Sequence, residues 1–213
     1  MKVSRIEGLA DGIFAIAMTL LVLDLHVPEL ADNLRADVFA LWPKLFSLVV
    51  SFVILAIYWS AQHMLLARIK EITLSFVWRS IYFFLPVSLV PFVASLLGAH
   101  PLSHTAQVVY ATDLALCGLM IFNTIHYALL RPEFFTQAPS LEFKRNVATK
   151  ILLPVVMYVL AIGATFINPR LGIAFLIAGP LIYFIPIDTK TWNLLVKPTD
   201  WLYRTLTGQK GRK

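Results

Sequence analysis

The stretch RIEGLADGIFAIAMTLLVLDL, residues 5–25, joins a long apolar run to charges in its first turns. A bilayer core about 30 Å thick needs about 20 mostly apolar helical residues, and this run has that length. On a wheel of 100° per residue, one narrow face is aliphatic apart from a single hydroxyl group. That face consists of Ile13, Ile16, Thr19, Leu20, Leu23 and Val27. The stretch therefore predicts a membrane helix with one apolar stripe.

The composition of the whole chain predicts an integral membrane protein. Of its 213 residues, 59% are hydrophobic and only 14% are charged, which is too apolar for a soluble domain of this size. Hydrophobic runs separated by polar breaks predict six transmembrane helices, over residues 4–26, 41–66, 73–97, 106–130, 147–167 and 171–187. The fold class is all-α, with a six-helix membrane domain over 1–187 and a basic tail over 188–213.

The distribution of positive charge predicts the orientation. With six spans, 15 of the 18 lysines and arginines fall on the side that holds both termini, and such an excess marks the cytoplasmic side. We expect a multi-pass protein of the cell membrane with both termini in the cytoplasm. Its basic pI requires no nucleic-acid partner, and the tail is either an interfacial segment over anionic lipid or a solvated one.

The carboxylates of the first span point away from its stripe. Glu7 and Asp11 lie about 180° and 140° from Ile16 on the helical wheel, so they need partners on other helices. If the second span runs in the opposite direction, its end brings an indole, an amide and an imidazole to the depth of Asp11. The sequence therefore predicts a structural polar network that contains Arg5, Asp11, Trp59, Gln62 and His63.

The other polar residues give weaker signals. Asp24, which with His26 ends the first span, is either an ordinary polar helix end or part of a ring at a pore mouth. Asp113 lies within the fourth span, where interhelical hydrogen bonding is the simpler interpretation. The single cysteine excludes a disulfide framework within one chain. We found no metal-ligand set, cofactor motif or nucleophile–base pair, so we expect neither an enzyme nor a resident cofactor.

The first two spans resemble the transmembrane protein 175 family of lysosomal and prokaryotic potassium channels. Arg5, Asp11 and the run DGIFAIAMTLLVLDL are similar to the family's Arg-x-x-x-Phe-Ser-Asp opening. Trp59, with the Gln62–His63 pair after it, is similar to the family's Trp-x-x-His region. These motifs cover about the first 100 residues, and the chain resembles a prokaryotic, single-repeat member.

The resemblance implies a homotetramer whose first helices line a central pore. Large aliphatic side chains would form the constriction in place of a carbonyl filter, and they correspond here to Ile16, Leu20 and Leu23. Thr19 corresponds to a threonine whose hydroxyl contacts a partly hydrated cation. The Arg5–Asp11 motif would form the polar network with the second helix. Leu9 and Ala10 replace the motif's Phe-Ser and Gln62 replaces its histidine, so the network must be rearranged.

Three functional hypotheses follow. The first is a passive potassium-permeable channel with a hydrophobic constriction at Ile16, Thr19, Leu20 and Leu23, Asp24 at the pore mouth, and potassium as the permeant ion. The alternative is a proton-coupled secondary transporter or proton pathway that uses Asp11, His63 and Asp113. The third is a membrane scaffold in which the aliphatic stripe only packs.

Overall fold

The described part of the chain is a bundle of α-helices. The computed structural model describes residues 2–23, 25 and 38–184. Within them, the α-helices with both ends described are α1 (Val3–Leu23), α2 (Trp42–Leu66), α3 (Leu74–Ala99), α4 (His104–Leu129), α5 (Leu141–Ile167) and α6 (Pro169–Phe184). A short 3₁₀ turn, Pro132–Phe134, lies between α4 and α5. These residues contain no strand, only an isolated bridge between Ile69 and Phe135.

Five of these helices are long and apolar enough to cross a membrane. They are α1 to α4 and the Val147–Ile167 part of α5, and they agree closely with the predicted spans. The helical, multi-pass fold is therefore confirmed. The sixth helix has 16 residues, or about 24 Å at 1.5 Å per residue. The predicted sixth span, 171–187, ends outside the described residues, so a sixth crossing stays a prediction.

One helix begins well before its predicted span. α5 starts at Leu141 because Ser140 caps its first turn, where the side-chain oxygen accepts a hydrogen bond of 3.1 Å from the backbone N–H of Phe143. The charged residues that follow are too polar for a bilayer core, so the sequence pattern showed only the membrane part from residue 147 onward. The helix thus extends beyond the membrane portion at this end.

Polar contacts connect α2 to the helices around it. The Ser47 hydroxyl donates to the carbonyl oxygen of Ala94 in α3 at 2.7 Å, and the Tyr58 hydroxyl donates to the carbonyl oxygen of Leu114 in α4 at 3.0 Å. Ser51 and Tyr110 share a further hydrogen bond of 2.9 Å. Lipid tails are as apolar as leucine, so helices in a membrane associate through packing and hydrogen bonds of this kind.

The loops after α2 and α4 meet at one end of the bundle. The backbone N–H of Lys70 donates to the carbonyl oxygen of Phe134 at 2.8 Å, and the N–H of Thr136 donates to that of Arg68 at 3.1 Å. The N-terminal half of α1 lies at the same end, because it contacts the last turns of α2. This end carries the basic loop residues Arg68, Lys70 and Arg131.

Two helices approach each other closely at Gly118 of α4. A Cβ atom there would overlap with Cγ2 of Val155 in α5 and would lie 3.4 Å from the Tyr58 hydroxyl. Only glycine therefore lets α4 and α5 approach this closely. By contrast, a Cβ atom at Gly163 of α5 would meet nothing within 4 Å.

We expect Gly118→Ala to lower the free energy of unfolding by about 1–3 kcal/mol through overpacking. The matched control, Gly163→Ala, should be neutral or slightly stabilising because alanine is the better helix former. Thermal unfolding of the purified proteins in detergent, followed by circular dichroism, measures both. Equal melting temperatures for the two variants would contradict this packing.

Candidate functional site

α1 packs on its own chain through one face only. Its buried side chains contact α2 and α3, and the Phe14 ring lies 6.0 Å from that of Phe83 in α3, centroid to centroid. The buried residues are Ile6, Ala10, Phe14, Ala17 and Leu21. On the helical wheel this face is centred about 120° from Ile16. Ile16, Thr19, Leu20 and Leu23 of the predicted stripe therefore lie off the packed face, whereas Ile13 at the edge of the stripe is partly buried against the core.

The aliphatic stripe lies at the surface of the single chain. Ile16 is 60% exposed and Leu23 is 67% exposed, and Leu20 and Thr19 are exposed as well. The structure thus brings these four residues together on one face. Asp24, the predicted pore-mouth residue, lies outside the described residues.

The Thr19 hydroxyl is oriented by its own helix. Its oxygen lies 3.0 Å from the carbonyl oxygen of Ala15 and 2.9 Å from that of Ile16. A hydroxyl has one hydrogen to donate and two lone pairs, and these backbone carbonyls take the hydrogen. The oxygen lone pairs are left for the exposed side of the helix, where they can coordinate a cation.

A polar cluster attaches the charged end of α1 to α2. The indole N–H of Trp59 donates to Oδ1 of Asp11 at 2.8 Å. The Trp59 ring stacks on the imidazole of His63, with 5.5 Å between centroids and 21° between planes. Nδ1 of His63 lies 3.6 Å from Oε1 of Glu7. Two carboxylates of α1 therefore meet an indole and an imidazole from one face of α2.

Two residues predicted for this network lie outside it. The Arg5 side chain is exposed and makes no hydrogen bond or ion pair with another residue in the described ranges. Gln62 is 1% exposed, and within those ranges neither its amide nitrogen nor its amide oxygen has a hydrogen-bond partner. Gln62 is rotated 100° from His63 on the helix, which turns it into the protein core. Glu7, which the predicted network did not include, belongs to the cluster through its contact with His63.

Asp113 lies apart from this cluster, in the core of the bundle. It is buried on α4, and its Oδ2 atom has no hydrogen-bond partner among the described residues. The side chains within electrostatic reach are those of Tyr58, Tyr110 and Cys117. No described hydrogen bond or ion pair joins Asp113 to Asp11 or His63. In the same part of the chain, no group of three or more His, Cys, Asp or Glu residues is placed to hold a metal ion.

Comparisons with known proteins point to a channel family. Residues 5–91 match the family model described as endosomal/lysosomal potassium channel TMEM175. This segment contains α1, with its stripe, and the polar cluster on α2. The resemblance to the TMEM175 family is confirmed. It is a family of channels and not an enzyme class.

Relatives extend the TMEM175 similarity over most of the chain. A protein of Chryseobacterium sp. (strain P1-3), named potassium channel, is 29% identical over 87% of this chain and 94% of its own length. A protein of Streptomyces collinus with the same name is 28% identical over 80% of this chain and 85% of its own length.

A solved structure supports the fold. The crystal structure of a lysosomal potassium-selective channel TMEM175 homologue from Chamaesiphon minutus is similar with a TM-score of 0.74. The similarity covers 85% of this chain and 95% of that one, at 23% identity. At this identity the likeness shows that the two chains share a fold.

We expect Trp59→Phe to destabilise the protein by about 1–2 kcal/mol. Phenylalanine keeps an aromatic ring beside His63 but removes the N–H that donates to the Asp11 carboxylate. Trp42→Phe is a matched control, because Trp42 is exposed at the start of α2. Thermal unfolding in detergent checks the difference, and equal losses for both variants would show that the Trp59–Asp11 hydrogen bond contributes nothing.

Proposed function

We propose that this chain is a potassium-permeable cation channel whose first helices line a central pore in a homotetramer. The observation that carries the proposal is the exposed aliphatic stripe of α1, on a helix whose other face is buried against its own chain. The names of the TMEM175 relatives support potassium as the permeant ion. The pore would pass ions down their gradient, with no cofactor and no catalytic step.

Four copies would turn the stripe into a constriction. Around a four-fold axis, each of Ile16, Leu20 and Leu23 becomes a ring of four aliphatic side chains. A narrow ring of this kind excludes water and blocks ions, and a wider ring lets them pass. The stripe's exposure supports the proposal because contacts within the subunit must leave a pore-lining face uncovered.

Thr19 supplies the oxygen atoms within this constriction. Its lone pairs point away from the helix, so four threonines would form a ring of acceptors between the rings of Ile16 and Leu20. A partly dehydrated cation would exchange some of its water for these oxygens. Because potassium loses water more readily than sodium does, we expect a modest preference for potassium.

The polar cluster would hold the pore helix in place. Asp11, bonded to Trp59, and Glu7, near His63, fix the charged end of α1 to α2 behind the stripe. Arg5 would lie at the cytoplasmic edge, where it faces water or lipid headgroups, and Gln62 would support α2 from the core side. The network proposed for pore support is thus Asp11, Trp59, His63 and Glu7.

The remaining topology is proposed on the same basis. The channel domain spans 1–187 and the basic tail 188–213, with both termini in the cytoplasm and Asp24 at the outer pore mouth of a cell-membrane protein. The excess of lysine and arginine on the side of the termini supports this orientation.

Potassium flux from liposomes tests the proposal. We expect Ile16→Asn to raise the flux about tenfold, since a polar ring keeps water in the constriction, and this factor corresponds to about 1.4 kcal/mol of barrier. Leu23→Ala should raise it less by widening the ring. The control on the same helix is Val22→Ala, which changes an exposed residue about 120° away from Ile16.

Two results would overturn this assignment. One is wild-type flux no greater than that of empty vesicles. The other is an equal response to Ile16→Asn and Val22→Ala, which would mean that the stripe does not line the path. Saturable, proton-coupled uptake abolished by Asp11→Asn would instead establish the transporter alternative.

Cross-linking tests the four-fold arrangement separately. The only cysteine is the buried Cys117, so Cys117→Ala provides a cysteine-free background. We expect Leu20→Cys in that background to form disulfide-linked dimers within tetramers, because four α1 helices meet at the axis. Met64→Cys, at an exposed position of α2, should not. Native mass spectrometry counts the subunits, and a monomer with no cross-link would contradict the tetramer.

A further inference from the structure

An arginine lies within the predicted membrane region at the contact of α3 and α4. Nη1 of Arg79 donates a hydrogen bond to Oδ1 of Asn123. The Arg79 guanidinium also lies over the Tyr127 ring, 4.4 Å from its centroid. Asn123 is exposed and Arg79 is half-buried, so this contact lies at the outer surface of the chain.

A second arginine shares the same ring. The guanidinium of Arg131, just after α4, lies 3.9 Å from the Tyr127 centroid, and its Nη1 donates to the carbonyl oxygen of Tyr127 at 3.4 Å. The Tyr127 hydroxyl shares a hydrogen bond of 3.2 Å with Thr73, which fixes the ring. The two guanidinium carbons are therefore no more than about 8 Å apart, the sum of their distances to the ring.

No described salt bridge neutralises this pair. Among the described residues, neither Arg79 nor Arg131 has a carboxylate oxygen within ion-pair distance, although Glu133 follows Arg131 by two residues. His126, near Arg79, adds no negative charge. Together the guanidiniums have roughly ten N–H donors, and the described chain supplies acceptors for few of them. The remaining N–H donors are therefore available to an anion from outside the chain.

Neighbouring side chains place Arg79 at the depth of the lipid headgroups. Arg79 is the sixth residue of α3, about 7.5 Å along the axis from the helix start. Trp78 and Tyr82 are exposed on either side of it in sequence, and exposed tryptophan and tyrosine are typical of the membrane–water interface. Below them, Leu85, Leu89 and Phe92 continue an exposed apolar face along α3.

We propose that Arg79 and Arg131, held on the Tyr127 ring, bind the phosphate of an anionic phospholipid whose acyl chains lie along the exposed face of α3. Guanidinium–phosphate hydrogen bonds are strong and often bidentate. The two positive charges favour an anionic headgroup over a zwitterionic one, whose ammonium group they would repel. The adjoining apolar face favours a lipid over free phosphate. This site does not depend on the proposed conduction path.

Native mass spectrometry of the purified full-length protein tests the site. We expect the wild type to retain phosphatidylglycerol in preference to phosphatidylcholine. The double variant Arg79→Gln, Arg131→Gln should bind phosphatidylglycerol about tenfold more weakly, a factor that corresponds to about 1.4 kcal/mol. Arg79→Lys keeps the charge but loses the planar fork, so it should have intermediate affinity.

Arg68→Gln is the matched control. Arg68 lies at the same end of the bundle, and its guanidinium lies over the Phe143 ring at 4.6 Å, so this variant removes a similar stacked arginine elsewhere. We expect it to leave phosphatidylglycerol binding unchanged. Arg131→Gln alone changes a residue outside the helices. If the double variant unfolds, phosphatidylglycerol binding by this single variant still tests the site.

Several outcomes would overturn the proposal. Equal losses for Arg68→Gln and the double variant would mean that overall charge, and not this site, attracts the lipid. Equal retention of phosphatidylcholine, or complete displacement of the lipid by inorganic phosphate, would contradict an anionic-lipid site. Loss of the oligomer with unchanged lipid binding would assign the two arginines to a subunit contact.

Discussion

The structure depends on how α1 is attached to the rest of the chain. A bilayer supplies no hydrophobic force between helices, so this attachment must come from close packing and polar contacts. Ala10 and Ala17 let α1 approach its neighbours closely, and Phe14 fills the space beside Phe83. At the charged end, the Trp59–Asp11 hydrogen bond fixes the rotation of the helix. Because that rotation is fixed, the aliphatic stripe faces a single direction relative to the rest of the chain.

α2 connects this attachment to the core of the bundle. Tyr58 and Trp59 are adjacent, so their side chains are 100° apart on the helix. Tyr58 donates to the carbonyl oxygen of Leu114 in α4, and Trp59 donates to Asp11 in α1. A rotation of α2 that breaks one bond also strains the other. The position of α1 is therefore coupled to the packing of α2 against α4, where Gly118 allows the close contact with α5.

The sequence predicted the spans and the stripe because both depend on local patterns. Hydrophobic length sets the spans, and a 3.6-residue period places Ile16, Leu20 and Leu23 on one face. The Asp11–Trp59 pair could be predicted because the start of one helix and the end of the next antiparallel helix lie at the same depth. Gln62 shows the limit of that reasoning. The depth of a residue in the membrane does not say which way its side chain faces, and Gln62, one residue before His63 on α2, faces the core. The contacts of Arg79 could not be predicted, since its partners Asn123 and Tyr127 come from a helix about 45 residues away.

The separation of charge from the stripe is also what a hydrophobic constriction requires. A carboxylate facing a narrow pore would hold water and remove the barrier that aliphatic rings create. In this chain Glu7 and Asp11 lie behind the stripe and are engaged by α2, and the one polar group on the stripe, the Thr19 hydroxyl, gives its hydrogen to the helix backbone. The contacts that hold α1 in place thus also keep its charges away from the proposed path. A substitution that frees Asp11 would act on the proposed pore through helix rotation, without any change to the residues proposed to line it.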